Sequence, residues 1–209
     1  MVKLNIFSDP ICPWCYIGYT QLSRAMEAKP DHPFELEWLP FQLNPEMPAG
    51  GMDRRAYLEA KFGGKDNAVK VYGQIAEKAE EIGLELNLSA ISRTPNTLDA
   101  HRLIHWSGVE GRQTPVATAM FQAYFQEGRD LSDHEVLADI ADGAGLDAAV
   151  IMRLLASSAD KDEIMKKDAM AREMGVQAVP TFVVAGQHAV PGAQPTELWA
   201  KVIDELVGA

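Results

Sequence analysis

Two cysteines three positions apart have the most distinctive chemistry in this sequence. Cys12 and Cys15 are its only cysteines, and they enclose Pro13 and Trp14. The residues that follow have helical periodicity, so Cys12 is expected at the mouth of a helix, where unpaired N–H groups and the positive end of the dipole stabilise a thiolate. Cys15, one turn later on the same face, is placed to attack a mixed disulfide formed at Cys12. The pattern predicts dithiol–disulfide exchange, with Cys12 as an exposed nucleophile and Cys15 as the resolving thiol.

Zinc binding is the alternative use of this spacing, because a Cys-x-x-Cys pair is half of a common zinc site. Two further ligands would be needed, and the paired candidates are His101 and His105 on a predicted helix. Two histidines four positions apart more often belong to a packed or solvated helix face. A structural zinc pair also usually lies on a turn between strands. We therefore expect no metal site.

Composition limits the partners and the location. The 19 basic and 30 acidic residues give a net charge of −11, which opposes binding to nucleic acid or to anionic membranes. No apolar run approaches the ~18 residues that a membrane-spanning helix needs. The N-terminal residues lack the apolar core and cleavage site of a signal peptide. Two neighbouring cysteines do not form a secreted disulfide scaffold, so we expect a cytoplasmic protein.

The first 45 residues predict a strand, a helix and a second strand. Residues 3–7 alternate between polar and apolar, and Ser8-Asp9-Pro10 ends the strand. Apolar residues recur at three- and four-residue steps from Pro13 to about Ala28. Residues 34–39 alternate again. The cysteine pair thus lies where the first strand passes into the helix.

The middle of the chain, from about residue 53 to 174, has mostly helical patterns. One apolar stripe runs from Val69 to Ile82 at helical period. Thr114 is predicted to cap a helix that has Pro115 at its first position. Ser132 and Asp160 each precede a glutamate by three residues, which is the pattern of a capping box.

Strand patterns return near the C-terminus. Residues 179–184 and 187–190 are predicted to pair across a turn, and Pro195 opens a last helix. The prediction is an α/β protein with a thioredoxin-like fold and a large all-helical insertion. Residues 1–45 and 175–209 would form the discontinuous thioredoxin-like domain, and residues 46–174 the inserted helical domain.

Val179-Pro180 is the second feature that points to thiol chemistry. In a thioredoxin-type site a cis proline precedes a strand and faces the cysteine pair, and Pro180 occupies that place in the chain. Cis bonds are a minority of X–Pro bonds, so a proline alone does not predict one. The cis bond is expected here because Pro180 directly precedes the C-terminal strand pair. A proline that begins a strand also leaves the preceding backbone free to pair with an extended substrate.

The chain resembles the DsbA-like thioredoxin family, in particular its FrnE-like cytoplasmic branch. The similarity rests on three segments, residues 8–18 (SDPICPWCYIG), 95–103 (PNTLDAHRL) and 175–182 (GVQAVPTF). It implies a protein or small-molecule disulfide oxidoreductase with Cys12 and Cys15 as the redox pair. Pro13, Trp14, Val179 and Pro180 would then contact the substrate.

Kappa-class glutathione transferases and 2-hydroxychromene-2-carboxylate isomerases share this architecture and give the alternative function. They typically carry serine at the position of Cys12 and lack the second cysteine, so the presence of both favours dithiol chemistry. Periplasmic relatives commonly have histidine where this chain has Trp14, and an indole cannot stabilise a thiolate as an imidazolium would. The disulfide of this chain is therefore expected to be less oxidising.

No bound cofactor is expected, because the cysteine pair itself carries the electrons, although glutathione could be a co-substrate. The expected partners are thiol- or disulfide-containing proteins or small molecules, and the sequence does not determine the oligomeric state. The segment 95–103 could line the active-site groove. For His101 we favour plain helix packing, with Asn96 or Thr97 as the cap of that helix.

Overall fold

The structure is a computed structural model that describes residues 1–208. Within them the chain forms six strands, in a four-stranded and a two-stranded sheet, and nine helices. The strands are β1 (Val2–Ser8), β2 (Phe34–Pro40), β3 (Met52–Asp53), β4 (Arg93–Thr94), β5 (Thr181–Val184) and β6 (His188–Pro191). The helices are α1 (Pro13–Ala28), α2 (Arg54–Phe62), α3 (Lys65–Glu81), α4 (Leu98–Val109), α5 (Gln113–Phe125), α6 (His134–Gly143), α7 (Ala148–Leu155), α8 (Lys161–Glu173) and α9 (Thr196–Val207).

The main sheet joins the two ends of the chain. Its strand order is β2-β1-β5-β6, so β2 and β6 are the outer strands. β1 and β2 are parallel, as the helix between them requires, whereas β5 pairs antiparallel with β1 and with β6. This order places the start of β5, which follows Pro180, beside the end of β1, which precedes Cys12, since Phe7 pairs with Thr181.

The predicted strands and helices of the two ends are confirmed. Alternating side chains explain β1, because Leu4 and Ile6 are buried while Lys3 is exposed. Trp199 of α9 covers this sheet: its ring lies 4.8 Å from the ring of Phe182 and 6.4 Å from that of Phe34, between ring centres. The end segments therefore converge on one core.

The middle of the chain differs from the prediction, because it is not entirely helical. β3 and β4 form a small antiparallel sheet in which Met52 pairs with Thr94. Each has only two residues, too few to show an alternating pattern. In α3 the predicted stripe is shifted, since Val69 is exposed whereas Ala68 is buried next to it.

The predicted N-caps of α5 and α6 were wrong. The predicted N-cap of α8, Asp160, is at the right position but makes no side-chain capping bond. α5 begins at Gln113 and not after Thr114, whose hydroxyl accepts a hydrogen bond from Trp38 Nε1 at 2.9 Å. α6 is capped by Asp133, which accepts from Glu135 N–H, instead of by Ser132. Asp160 does precede α8, but its carboxylate accepts from Trp106 Nε1 at 2.8 Å. Tertiary contacts thus take two of the predicted capping side chains.

The helical middle and the sheet share a continuous core. The Tyr16 ring on α1 stacks on Phe121 at 5.0 Å and on Phe125 at 6.0 Å, both on α5. Trp38 on β2 also contacts Phe121, with 6.1 Å between ring centres. In residues 1–208 we find no helix with the length and apolar character to cross a membrane.

Candidate active site

The two cysteines occupy the first turn of α1. Cys12 is the residue before the helix, and Pro13 is at its first position, where the missing N–H costs nothing. Cys12 N–H donates to the Asp9 carbonyl at 2.9 Å, and the Cys12 carbonyl accepts from Cys15 N–H at 3.0 Å. The first turn contains no acidic side chain, so no nearby carboxylate on the helix offsets the positive dipole end. The local structure is the predicted one.

The exposure of the pair differs from the prediction in one respect. We expected Cys12 to be exposed, but it is only 4% exposed, compared with 1% for Cys15. The reason is that Cys12 Sγ faces Val179 and donates to its carbonyl oxygen at 3.5 Å. Trp14, at 37%, is the exposed residue of the motif. Cys12 is therefore recessed beside Val179 instead of lying exposed on the surface.

The Val179–Pro180 segment forms the wall opposite the cysteines. The peptide bond between the two residues is cis. Pro180 O accepts from Gly192 N–H at 2.8 Å, which ties this segment to the end of β6. On the other side Gly18 of α1 lies against the proline ring, since a Cβ placed on Gly18 would be 3.0 Å from Pro180 Cγ. The missing side chain thus lets α1 approach the wall.

Cys15 has the environment of a thiol that keeps its proton. Burial raises the pKa of Cys15 well above the ordinary thiol value, and the Cys12 thiol beside it raises the pKa further. The Ser8 hydroxyl and the Asp9 backbone N–H act in the opposite direction by hydrogen bonding. Both cysteines are in the dithiol form in this structure. Cys15 therefore has to lose a proton when it becomes a nucleophile.

Asp9 is a buried acid three positions before Cys12, and the sequence analysis gave it no role beyond the strand break and segment 8–18. Its side chain is fully buried, and it accepts from Leu43 N–H at 2.7 Å, Ile11 N–H at 3.3 Å and Thr97 Oγ at 3.3 Å. These bonds connect the segment before Cys12 with the loop after β2 and with the start of α4. The sequence feature that could have indicated this role is the isolated acidic residue between an apolar strand and the cysteine pair.

His101 lies next to Asp9, with 3.9 Å between its Nε2 and Asp9 Oδ1. Burial raises the pKa of Asp9 to about 7 despite its three hydrogen bonds. Burial also lowers the pKa of His101 to about 4, against an opposing effect from Asp168. Between those values both groups are neutral, so at 3.9 Å they form neither an ion pair nor a normal hydrogen bond. The helix-packing interpretation of His101 holds, with an acid as its neighbour.

The other members of segment 95–103 cap α4 and connect it to the site. Thr97 occupies the N-cap position of α4 without a side-chain capping bond, while the preceding Asn96 accepts from Leu98 N–H through its Oδ1 at 2.9 Å. His105, the second proposed zinc ligand, lies 3.3 Å from Lys167 Nζ through its Nδ1. In the part of the chain that the structure describes, no three His, Cys, Asp or Glu side chains converge in a way that could hold a metal ion.

Residues 3–204 match the family described as the DSBA-like thioredoxin domain. The chain belongs to this family. A probable DsbA oxidoreductase from Streptomyces coelicolor is 30% identical, with a TM-score of 0.87 over 100% of this chain and 91% of that one. An uncharacterised Bacillus subtilis protein, YwbO, is 28% identical over 98% of this chain and 96% of its own.

A more distant structure of this DSBA-like fold comes from Pseudomonas aeruginosa. It is the cytosolic disulfide reductase DsbM with GSH, which is 14% identical, has a TM-score of 0.71, and covers 99% of this chain and 100% of its own. At that identity only the fold is comparable. The predicted family and the α/β, thioredoxin-like fold class are confirmed.

Within this DSBA-like chain, the structure brings together all six residues that the sequence analysis assigned to the site. Cys12, Pro13, Trp14 and Cys15 form the start of α1, and Val179 and Pro180 face it. Their roles toward a substrate remain predictions. Asp9 and Ser8 join the site because β1 ends there.

Proposed function

We propose that this protein is a thiol–disulfide oxidoreductase that works through Cys12 as nucleophile and Cys15 as resolving thiol. The observation that carries the proposal is the asymmetry of the two thiols. Cys12 is at the N-terminus of α1 and touches Val179, whereas Cys15 is more deeply buried and holds its proton. A nucleophile must meet the substrate, and a resolving thiol must not react before the mixed disulfide forms.

The exchange conserves atoms and electrons in two steps. In reduction of a substrate disulfide, the Cys12 thiolate attacks one sulfur, and the other leaves as a thiolate. Cys15 then loses its proton and attacks the Cys12 sulfur of the mixed disulfide, which releases the second substrate thiolate. The protein ends as the Cys12–Cys15 disulfide and the substrate gains two electrons. The reverse sequence oxidises a substrate dithiol.

Substrate contacts are proposed for the four residues around the thiols. Trp14 offers an exposed apolar surface, and Pro13 fixes the turn that presents it. The Val179 backbone, before Pro180, offers hydrogen-bonding groups to an extended substrate segment. Because Cys12 is recessed, we propose that substrates are flexible peptide segments or small thiols and not sulfurs on rigid surfaces.

The FrnE-like branch and a cytoplasmic location are part of the proposal. DsbM, a neighbour of the same fold, is a cytosolic disulfide reductase, and the Trp14-containing motif agrees with a couple that is not strongly oxidising. We propose that no resident cofactor takes part and that glutathione can serve as co-substrate. The net charge of −11 argues against nucleic acid and membrane partners.

The decisive experiment is a comparison of Cys12→Ser and Cys15→Ser. Cys12→Ser is expected to lose reduction of insulin disulfides entirely. Cys15→Ser is expected to accumulate a mixed disulfide at Cys12, detectable by mass spectrometry and released by dithiothreitol. Circular dichroism of both variants controls for folding. Insulin reduction by Cys12→Ser at the wild-type rate would overturn the assignment.

Glutathione-dependent transfer or isomerisation of the kappa-class or 2-hydroxychromene-2-carboxylate isomerase type is the second candidate. It is favoured by the recessed position of Cys12, which suits a small thiol, and by the structure of DsbM with GSH, which has the same fold. It predicts turnover of an electrophile with glutathione that survives Cys15→Ser. Under the first proposal such turnover is absent and redox activity depends on Cys15.

A further inference from the structure

A cavity of about 550 Å³ lies between α2, α3 and the segment before β4, and it is lined entirely by residues of the helical middle. Its walls are mostly apolar and include Leu58, Val69, Tyr72 and Ile91. This volume is in the range of small-molecule sites. None of the residues assigned to the thiol site lines it, so it is separate from the chemistry of Cys12.

Arg54, in the wall of this cavity, is a buried arginine with few partners. The residue is only 7% exposed, and its guanidinium makes one hydrogen bond, from Nη1 to the neutral hydroxyl of Tyr124 at 2.9 Å. The guanidinium also lies over the Tyr72 ring, 4.9 Å from its centre. Nη2 has no hydrogen-bond partner within residues 1–208.

Arg102 shows what a satisfied buried arginine looks like in the same molecule. It is fully buried, pairs with Asp99 at 2.7 Å and donates to four main-chain carbonyls, those of Leu154, Leu155, Ser157 and Ala159. Buried guanidinium groups normally need such partners, because an unpaired buried charge is costly. Among the described residues, Arg54 has no carboxylate partner, so its charge is uncompensated in the lining of a mostly apolar cavity.

The mouth of the cavity restricts the kind of anion. Arg55 is already paired with Glu59 at 2.8 Å, and Asp53 accepts from Ala56 N–H at 2.9 Å. The two carboxylates in the lining, those of Asp53 and Glu59, disfavour a dianion such as a phosphate ester, which also requires several donors. One unpaired guanidinium nitrogen and a largely apolar lining fit a single carboxylate on an apolar body.

We propose that this cavity binds a small amphipathic monocarboxylate, with its carboxylate on Arg54 and its apolar body against Leu58, Val69 and Ile91. Lys65 also lines the cavity and adds a second positive charge to it. The site is independent of the redox pair. It would give this protein a ligand unrelated to thiol exchange.

The test uses decanoate and decanol as probes that share a chain and differ in charge. Isothermal titration of the whole protein is expected to show saturable one-site binding of decanoate, with decanol at least about tenfold weaker. Arg54→Met should reduce decanoate binding to the level of decanol. Arg153→Met, which removes an exposed arginine of α7 outside the cavity, is the control and should bind as wild type does.

Two further variants keep the outcome clear. Val69→Trp fills the mouth from an exposed position, and it should abolish decanoate binding even if Arg54→Met fails to fold. Cys12→Ser should bind decanoate normally, which separates this proposal from the redox function. Equal binding of decanol and decanoate, no binding of either, or normal decanoate binding by Val69→Trp or a folded Arg54→Met would overturn the proposal.

Discussion

At the scale of single residues, the environment of Cys12 consists of the helix terminus, the Val179 carbonyl and the Cys15 thiol. The Cys12 sulfur donates to the Val179 carbonyl, and Trp14 is the exposed residue of the motif. Among the described residues, no basic side chain forms a hydrogen bond with Cys12 Sγ. The residue between the cysteines is consequently the simplest place to change the stability of the Cys12 thiolate.

We expect Trp14→His to make the Cys12–Cys15 couple more oxidising. An imidazole that is protonated or donates a hydrogen bond stabilises the thiolate and hence the reduced form, which raises the reduction potential. A stabilisation of ~1.4 kcal/mol corresponds to about 30 mV for this two-electron couple. Paired titrations in glutathione buffers measure the shift, with Trp14→Phe as the control that lacks a charge. A potential of Trp14→His at or below that of Trp14→Phe contradicts the prediction.

Asp9 and His101 have opposite effects on how stability depends on pH. The pKa of Asp9 rises from 3.8 to about 7 on folding, so its contribution falls as the pH rises through that interval. The pKa of His101 falls from 6.5 to about 4, so its contribution increases with pH between those values. At about pH 5 the unfolded pair holds its proton on the histidine, whereas the folded pair holds it on the acid. Folding transfers one proton between the two side chains without changing the total.

Removal of either group should therefore reveal the effect of the other. When the pH is raised from 5 to 7, the unfolding free energy of Asp9→Asn is expected to change by about 2 kcal/mol more favourably than that of wild type. The unfolding free energy of His101→Gln is expected to change by about 2 kcal/mol less favourably than that of wild type. Urea unfolding at the two pH values gives these differences. The comparison is between slopes, so a constant loss from the substitution itself does not affect it. Variant profiles parallel to that of wild type would contradict the transfer.

At the scale of elements, the contact between α1 and Pro180 depends on Gly18. A Cβ at this position would come 3.0 Å from Pro180 Cγ and 3.2 Å from Ala193 Cα. Both contacts are tighter than normal packing permits, and the second involves backbone. The helix that carries the cysteines can therefore approach the Val179–Pro180 wall only because residue 18 has no side chain.

We expect Gly18→Ala to slow insulin reduction by about tenfold, because it moves the wall away from Cys12. Gly73→Ala is the matched control: Gly73 is also within a helix, and a Cβ there meets no atom within 4 Å. This control should leave the rate unchanged and raise stability by about 0.5–1 kcal/mol through helix propensity. Stopped-flow kinetics and urea unfolding give both quantities. A wild-type rate for Gly18→Ala would show that the spacing does not matter.

The elements that sequence patterns identified are those with a local signal. β1, α1, β2 and α9 repeat apolar residues at strand or helix period, and the cysteine pair follows from its own spacing. β3 and β4 have two residues each and depend on pairing between distant parts of the chain. The buried position of Cys12, the acid beside His101 and the incomplete partners of Arg54 arise from tertiary packing. No short window of sequence contains that information.

At the scale of the whole molecule, the sheet and the helical middle are joined through aromatic side chains. Phe121 of α5 is 1% exposed and contacts both Tyr16 of α1 and Trp38 of β2. A division into residues 1–45 plus 175–209 and residues 46–174, as proposed from sequence, would pass through this cluster. Tight packing across the boundary favours unfolding of both parts together.

We expect a single unfolding transition in urea, with the same midpoint by tryptophan fluorescence and by far-ultraviolet circular dichroism. The fluorescence follows tertiary packing around Trp38 and Trp199 at the sheet and Trp106 in α4, whereas the dichroism follows helical secondary structure. Phe121→Leu should lower stability by about 1–2 kcal/mol and shift both curves equally. Two separate midpoints, or a shift confined to one probe, would show that the parts unfold independently.

The ends of the outer strands bear on how this molecule behaves at high concentration. β2 and β6 form the two borders of the main sheet, and each ends in a proline, Pro40 and Pro191. A proline offers no N–H, so a strand from a second copy could not continue a regular ladder past either position. β6 is also only four residues long. A proline at the end of each border, together with the shortness of β6, makes the sheet a poor template for strand addition and so disfavours edge-to-edge aggregation.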